Sequence, residues 1–359
     1  MSLGRRKKRW LCAGLASVLF LLTTPVFGAD SPLHAAVSVH LDQAAEQTLS
    51  GALNGGHQTE LYRLDVKQSG TLRHKLTFSL AALDVRLLNQ DGQVIKTWYQ
   101  RRDETLRTGS GEIRFSVEPG TYYIQLKRRS GDGNYQLTQS FDEEKTTELQ
   151  PNDTLEQAQP LALGDTAYGV IGIGYARNSR DKDVYRIEIP AAKNITFTLN
   201  SALSGAYLHL YDAQGEQIKY AFAMADKNTG RNQIRRTYKL AAGTYYLLVK
   251  GGSDTGAYTL KAAAAVPPAK TAIKSLVRRS QYQNLQINLK KVKGAEGYQI
   301  YIGEDAGFKM VQRYRKTKLT SSYHLAKGKT YYVKARAYRK NSEGGYIYGG
   351  FSKVKKIRL

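Results

Sequence analysis

Pro119-Gly120-Thr121-Tyr122-Tyr123 returns 123 positions later as Ala242-Gly243-Thr244-Tyr245-Tyr246. The same offset carries Tyr62-Arg63 onto Tyr185-Arg186, Gly92 onto Gly215, Ile95 onto Ile218, and Gly133, Tyr135 and Leu137 onto Gly256, Tyr258 and Leu260. A constant offset over some 75 residues marks a duplicated domain. The period exceeds the 20–50 residues of solenoid and propeller units, so each copy is expected to have its own core.

Within both copies apolar residues alternate over short runs bounded by Gly, Asn, Asp and Ser, the period of half-buried strands. Tyr62, Leu64 and Val66 share one face of such a run, as do Tyr185, Ile187 and Ile189. Asn89-Gln90-Asp91-Gly92 and Asp212-Ala213-Gln214-Gly215 follow as hairpin turns whose glycine accepts a positive φ. No helical period stands out, and the class is all-β, built of antiparallel β-sandwiches.

The second copy resembles the bacterial pre-peptidase C-terminal domain, a jelly-roll-like sandwich appended to exported peptidases. The resemblance rests on Pro151-Asn152-Asp153-Thr154, Asp181-Lys182-Asp183-Val184-Tyr185, Leu210-Tyr211-Asp212 and Ala242-Gly243-Thr244-Tyr245-Tyr246. The first copy keeps the later strands but lacks the Pro-Asn-Asp opening and the paired aspartates, and is a divergent relative. An Ala/Pro stretch around Pro267-Pro268 reads as a linker. Beyond it, Leu289-Lys290-Lys291-Val292-Lys293-Gly294-Ala295, Gly297-Tyr298, Leu325 to Tyr331 and Tyr348-Gly349-Gly350-Phe351-Ser352 resemble a lysine-rich fibronectin type III domain, with Tyr331 at the corner tyrosine and Leu289 where Trp is commoner. The expected organisation is a signal peptide over residues 1–28, a divergent sandwich over 31–141, a linker over 142–150, the second sandwich over 151–262, a linker over 263–272 and the basic domain over 273–359.

Residues 5–9 are all basic, residues 11–22 are apolar, and Val26-Phe27-Gly28 places small residues at the −3 and −1 positions of a cleavage site. Export is expected, with no membrane span left after cleavage. Cys12 is the single cysteine, so the exported chain has no disulfide to rely on. Of the formal charge of +24, residues 1–28 carry +5, residues 29–266 carry +1 and residues 267–359 carry +18. That segregation points to a polyanionic partner at the C-terminal end. No sorting-type tail or apolar anchor closes the sequence at Leu359, so retention at a surface is expected to be non-covalent.

The parts of an enzyme are missing from the pattern. The six histidines have no zinc-ligand spacing, and neither a Gly-x-Ser-x-Gly elbow nor a phosphate-binding loop occurs. Residues 169–174 are glycine-rich and read as a loop. A cation site has more support. Asn152, Asp153, Asp181 and Asp183 offer oxygens from two segments, as hard Ca²⁺ requires, and the family resemblance implies that role for these four positions. Glu148 is a further candidate, although Gln150 stands where an acidic residue often precedes Pro-Asn-Asp. The competing reading is an Asx-turn at Asn152 and solvated aspartates at the start of a strand. In the first copy only Glu60 stands at the place of Asp183, and no metal is expected there.

In the third domain, alternation along residues 330–338 sends Tyr331, Val333, Ala335 and Ala337 inward and Tyr332, Lys334, Arg336 and Tyr338 outward. A neighbouring strand adds Tyr301, and the last strand adds Lys353, Lys355 and Lys356. A basic face with interleaved tyrosines can bind phosphates or carboxylates while rings lie against sugars or bases. A solvated, aggregation-resistant face is the alternative. The expected function is that of a secreted, non-catalytic binding protein held at the cell surface by anionic cell-wall polymer, or by an extracellular glycan or matrix protein. The rival is an accessory protein-interaction subunit of a secreted peptidase or other exported enzyme. Nucleic acid is not the expected partner.

Overall fold

The computed structural model describes Leu33 and residues 36–39, 46–173, 181–252, 254–280 and 282–359. The signal-peptide reading falls outside these residues. Among them there is no α-helix, and no helix is long and apolar enough to cross a membrane.

The first copy contains β1 (Val37–Val39), β2 (Gln47–Leu53), β3 (Thr59–Val66), β4 (Gly70–Phe78), β5 (Ala82–Leu88), β6 (Val94–Arg101), β7 (Gly109–Val117), β8 (Gly120–Ser130) and β9 (Gly133–Glu143). They form two sheets, in the orders β1-β3-β8-β5-β6 and β2-β9-β4-β7. The second copy repeats this with β10 (Gln159–Pro160), β11 (Thr166–Ile171), β12 (Lys182–Ile189), β13 (Lys193–Ser201), β14 (Gly205–Tyr211), β15 (Gln217–Met224), β16 (Asn232–Leu240), β17 (Gly243–Gly251) and β18 (Gly256–Ala264). Its sheets run β10-β12-β17-β14-β15 and β11-β18-β13-β16. The starts of β3 to β9 and of β12 to β18 differ throughout by the sequence offset of 123. All strands pair antiparallel except β1 with β3 and β10 with β12.

Two tyrosines show how closely the cores correspond. Tyr62 and Tyr135 face each other with hydroxyls 2.5 Å apart, and at the matching positions Tyr185 and Tyr258 lie 2.7 Å apart. All four are buried because the pleat turns them inward with the alternating Leu, Val and Ile. The hydroxyl pair lets each ring occupy the core without an orphaned polar tip.

The third domain packs β19 (Ile273–Arg278), β20 (Leu285–Leu289) and β23 (Thr320–Tyr323) against a sheet of β22 (Val311–Lys316), β21 (Gly297–Gly303), β24 (Thr330–Lys340) and β25 (Tyr346–Tyr348), with β26 (Lys355–Arg358) also on β24. Tyr331 donates to the Ala326 carbonyl at 3.1 Å. Leu289 is a buried core residue.

Among the described residues the domains touch at two joints. At the first, Ser116 N donates to Thr255 Oγ1 at 2.6 Å and Ile173 N to Ser116 O at 3.0 Å. At the second, the turn between β24 and β25 sits on the edge strand β16: Ser342 N donates to Thr237 O and Thr237 N to Ser342 Oγ, both at 2.8 Å, and Lys219 pairs with Glu343 at 2.8 Å.

Candidate functional site

Four carboxylates gather where the second sandwich opens. The segment before β10 brings Glu148, whose carboxylate accepts from Val170 N at 3.1 and 3.0 Å. Asp181, just before β12, accepts from Gly172 N at 2.6 Å. Asp183, on β12, accepts from the Tyr258 hydroxyl at 2.6 Å. The fourth is Glu118, from the turn between β7 and β8 of the first sandwich. Tyr122 holds that turn by donating to the Glu118 carbonyl, and Gln150 Nε2 donates to Glu118 Oε1 at 2.9 Å. All four residues are at least nine-tenths buried.

Burial dominates their chemistry. It is the largest cause pushing Glu118 up to about 10, with the charge of Asp181 next. Burial likewise pushes Glu148 up to about 8 against the opposing Val170 N–H, and Asp181 to about 6 against its hydrogen bonds to Glu118 and Gly172. Asp183 is raised well above the usual range by burial and then by Asp181 and Glu148. Among the described residues none of the four joins an ion pair. Carboxylates packed this way must share protons or take up a cation.

Asn152 is fully buried, its carbonyl accepting from Val184 N at 2.8 Å and its side-chain amide turned to Asp183, while Oδ1 finds no hydrogen-bond donor. Asp153 is less buried and turns its Oδ1 to Lys182 N at 3.2 Å. The structure thus places Asn152, Asp181, Asp183 and Glu148 together, with Asp153 at the margin. With the side chains as they stand, no three acidic, histidine or cysteine groups among the described residues converge at metal-ligand geometry. The donor set is nonetheless all hard oxygen, which fits Ca²⁺ and not a thiolate- or imidazole-seeking metal. In the first copy Glu60 instead bonds the His57 ring at 2.6 Å at the surface.

Sequence reasoning missed Glu118, although its counterpart at the 123-residue offset is Ala241, a visible break in the repeat. The reading of residues 169–174 as a loop is corrected over residues 169–171, which belong to β11, and its last residue lies outside the described residues. A Cβ on Gly169 would fall 2.3 Å from the Tyr258 hydroxyl and 2.4 Å from Glu148 Oε2, so the glycine admits the cluster's own side chains. Gly169→Ala is expected to destabilise the second sandwich by about 1–3 kcal/mol, the usual cost of overpacking, as read by chemical denaturation.

A second group of residues covers the outer face of the β22-β21-β24-β25 sheet. Directly opposed residues of adjacent strands share a face, which aligns Arg313, Tyr301 and Lys334 in one row and Arg315, Gln299 and Arg336 in the next. Lys334 lies 4.0 Å from the Phe308 ring, 4.8 Å from Phe351 and 5.6 Å from Tyr301; Arg336 lies 3.8 Å from Tyr348 and 4.6 Å from Phe351; Arg315 lies 4.4 Å from Tyr346. Arg336 also donates to Gln299 Oε1 and Arg315 to the Tyr348 hydroxyl. None of the four cations meets a carboxylate among the described residues.

Of the expected face, Tyr301, Lys334 and Arg336 come together as read. Tyr332 pairs with Lys356 on the same side. Two expectations are corrected. Tyr338 is buried, its ring covered by Tyr346 and Tyr348. Lys355 pairs with core-facing Val333, so it points the other way and wraps the sheet edge, its Nζ donating to the Lys274 carbonyl at 2.9 Å. Lys353 is exposed and lies outside the strands. Arg313, Arg315, Tyr346, Tyr348 and Phe351 were not foreseen.

Comparison with known proteins bears on the second sandwich first. Residues 181–251 match the family model described as the bacterial pre-peptidase C-terminal domain. Among solved structures, the pre-peptidase C-terminal domain of a collagenase from Bacillus anthracis is similar at 23% identity, over 32% of this chain and 99% of that one, with a TM-score of 0.24. The sixth fibronectin type III domain of human fibronectin type III domain containing protein 3 is similar at 20% identity, over 27% of this chain and 90% of that one, with a TM-score of 0.22. A β-1,2-glucanase from Parabacteroides distasonis is similar at 15% identity, over 55% of this chain and 31% of that one, with a TM-score of 0.20.

Proposed function

We propose, taking the pre-peptidase C-terminal match across residues 181–251 as the premise, that this chain is an exported, non-catalytic binding protein whose third domain holds an anionic polymer of the cell surface. The observation that carries the reading is the two rows that hold Arg313 and Lys334, and Arg315 and Arg336, interleaved with rings and lacking carboxylate partners among the described residues. Cation–π contacts of about 0.5–1 kcal/mol each hold these side chains in place without neutralising them. Their charge is left available to phosphates or carboxylates. The nearly neutral sandwiches then serve as spacers and as contacts for a glycan or protein.

The calcium reading belongs to the same proposal. Asn152, Asp181, Asp183 and Glu148 would hold Ca²⁺ at the opening of the second sandwich, with Asp153 at its edge, and the ion would supply the positive charge that these buried carboxylates lack.

One feature favours a role for the second sandwich as well. Tyr207, His209 and Tyr211 on β14 and Tyr220 and Phe222 on β15 form a continuous aromatic surface, with ring centroids 4.5–6.2 Å apart. The first copy has Asp84, Arg86, Leu88, Thr97 and Tyr99 at the corresponding positions, so the surface is not a requirement of the fold. It suits a partner of mixed polarity, such as the enzyme of the accessory-subunit reading or a glycan.

The test is salt elution of the chain from residue 29 onward on immobilised polyglycerol phosphate. The triple variant Arg315→Ala, Lys334→Ala, Arg336→Ala is expected to elute at markedly lower salt. Its log affinity against log salt should be shallower by about 2, since each lost contact removes roughly 0.7–0.9. Unchanged elution would remove this face from the function.

A further inference from the structure

Glu118 belongs to the first sandwich by chain order and to the second by what surrounds its side chain. Its Oε1 accepts from Gln150 at 2.9 Å, and its carboxyl is hydrogen-bonded to Asp181. Its Cγ lies 3.1 Å from where a Cβ on Gly172 would stand. Only 6% of the residue is exposed. We propose that Glu118 is a cation ligand delivered by the first sandwich, so that one Ca²⁺ in the Asn152, Asp181 and Asp183 cluster clamps the two sandwiches together. The proposal rests on the calcium reading of that cluster.

Three observations converge on it. The Asn152 side chain is wholly buried in the same cluster, its amide turned to Asp183, and its Oδ1 finds no hydrogen-bond donor, which points to a ligand there. Ser116, two residues before Glu118, is already registered on the second sandwich through Thr255 and Ile173, so presenting the carboxylate costs little additional ordering. At the equivalent turn of the second sandwich the residue is Ala241. The joint to the third domain is made instead by the turn after β24, through Ser342 on Thr237 and Lys219 with Glu343. The acidic residue thus occurs in the copy whose turn abuts the cluster.

Trp98 makes the clamp measurable. It is the one tryptophan after residue 28, it lies in the first sandwich, and it stacks on Phe115 at 5.1 Å. In the chain from residue 29 onward, calcium is expected to raise the denaturant midpoint of Trp98 fluorescence, although most of the ligands lie in the other sandwich. Isothermal titration with calcium gives the affinity. Glu118→Gln should weaken binding by roughly tenfold or more, the effect of losing one charged ligand, and should abolish the response of Trp98. Glu118→Asp, which keeps the charge with a shorter reach, should recover part of both. Asp183→Asn serves as the variant that loses the site. Wild-type affinity and an unaltered Trp98 response in Glu118→Gln would overturn the clamp and leave the calcium site standing. No calcium binding by the unsubstituted chain would overturn the site itself, and the clamp with it.

Discussion

Asp183→Asn will stabilise the calcium-free chain by about 2–4 kcal/mol and erase its stabilisation by calcium. Asp183 is wholly buried beside Asp181 and Glu148, with the Tyr258 hydroxyl as a close donor. At neutral pH it must keep a proton far above its ordinary value of 3.8 or carry a charge away from water. Holding a proton at pH 7 on a group that loses it near 4 costs about 4 kcal/mol. Asparagine has the same shape, keeps an oxygen toward the Tyr258 hydroxyl, gives up the longer contact from Gln150 Nε2 at 3.4 Å and never ionises, so most of that cost disappears. Calcium acts in the opposite sense, since an ion bound only by the folded state adds about 2.7 kcal/mol at a hundred times its dissociation constant. Chemical denaturation by circular dichroism, with calcium or with chelator, should show the unsubstituted chain gaining with calcium and the variant starting higher without responding. A variant less stable than its parent in chelator would show that the cluster is a satisfied hydrogen-bond network and not a cation site.

The residues that were legible in the sequence are those whose role is written locally. Alternation fixed β3, β12 and β24, because a strand with one buried face must place its apolar residues at every second position. The offset of 123 transferred each assignment from one copy to the other. Asn152, Asp153, Asp181 and Asp183 were singled out because the family resemblance names them. Glu118 was not, because a residue whose partners lie across a domain joint leaves no periodic trace in its own strand. Arg313 and Arg315 were overlooked for a related reason. β22 is an edge strand whose residues are all exposed or half-exposed, so no inward face marks its phase. Lys355 was assigned to the wrong face because residues 349–354 run without strand structure before β26, and counting alternation across such a gap loses the register. Gly169 was read as a breaker, whereas its reason is the closeness of Tyr258 and Glu148, which only packing reveals.

His74→Phe will make the first sandwich resistant to acid. His74 points into the core from β4, fully buried against Phe115 at 5.6 Å, with Gln139 opposite it on β9. Neither ring nitrogen has a hydrogen-bond partner, and neither side-chain polar atom of Gln139 has one. Burial lowers the imidazole from 6.5 to about 4. Above pH 6.5 the ring is neutral in both folded and unfolded chains, and the group adds no pH dependence. Between 6.5 and 4 the unfolded chain takes up a proton that the folded chain refuses, so stability falls with pH, by about 3 kcal/mol across the window. At the 123-residue offset the second copy has Phe197 for His74, Tyr238 for Phe115 and Ala262 for Gln139, and Phe197 packs against Tyr238 at 6.3 Å. The sibling domain therefore shows that phenylalanine fits this site, best together with Gln139→Ala. Because Trp98 stacks on the same Phe115, its fluorescence isolates this domain from the rest of the chain. Urea midpoints at pH 7 and pH 4.5 should differ strongly for the unsubstituted chain and little for the double variant His74→Phe, Gln139→Ala. The double variant should also gain about 1–3 kcal/mol at pH 7 by removing orphaned polar atoms. An undiminished acid loss in that variant would place the acid sensitivity of the domain elsewhere than at His74.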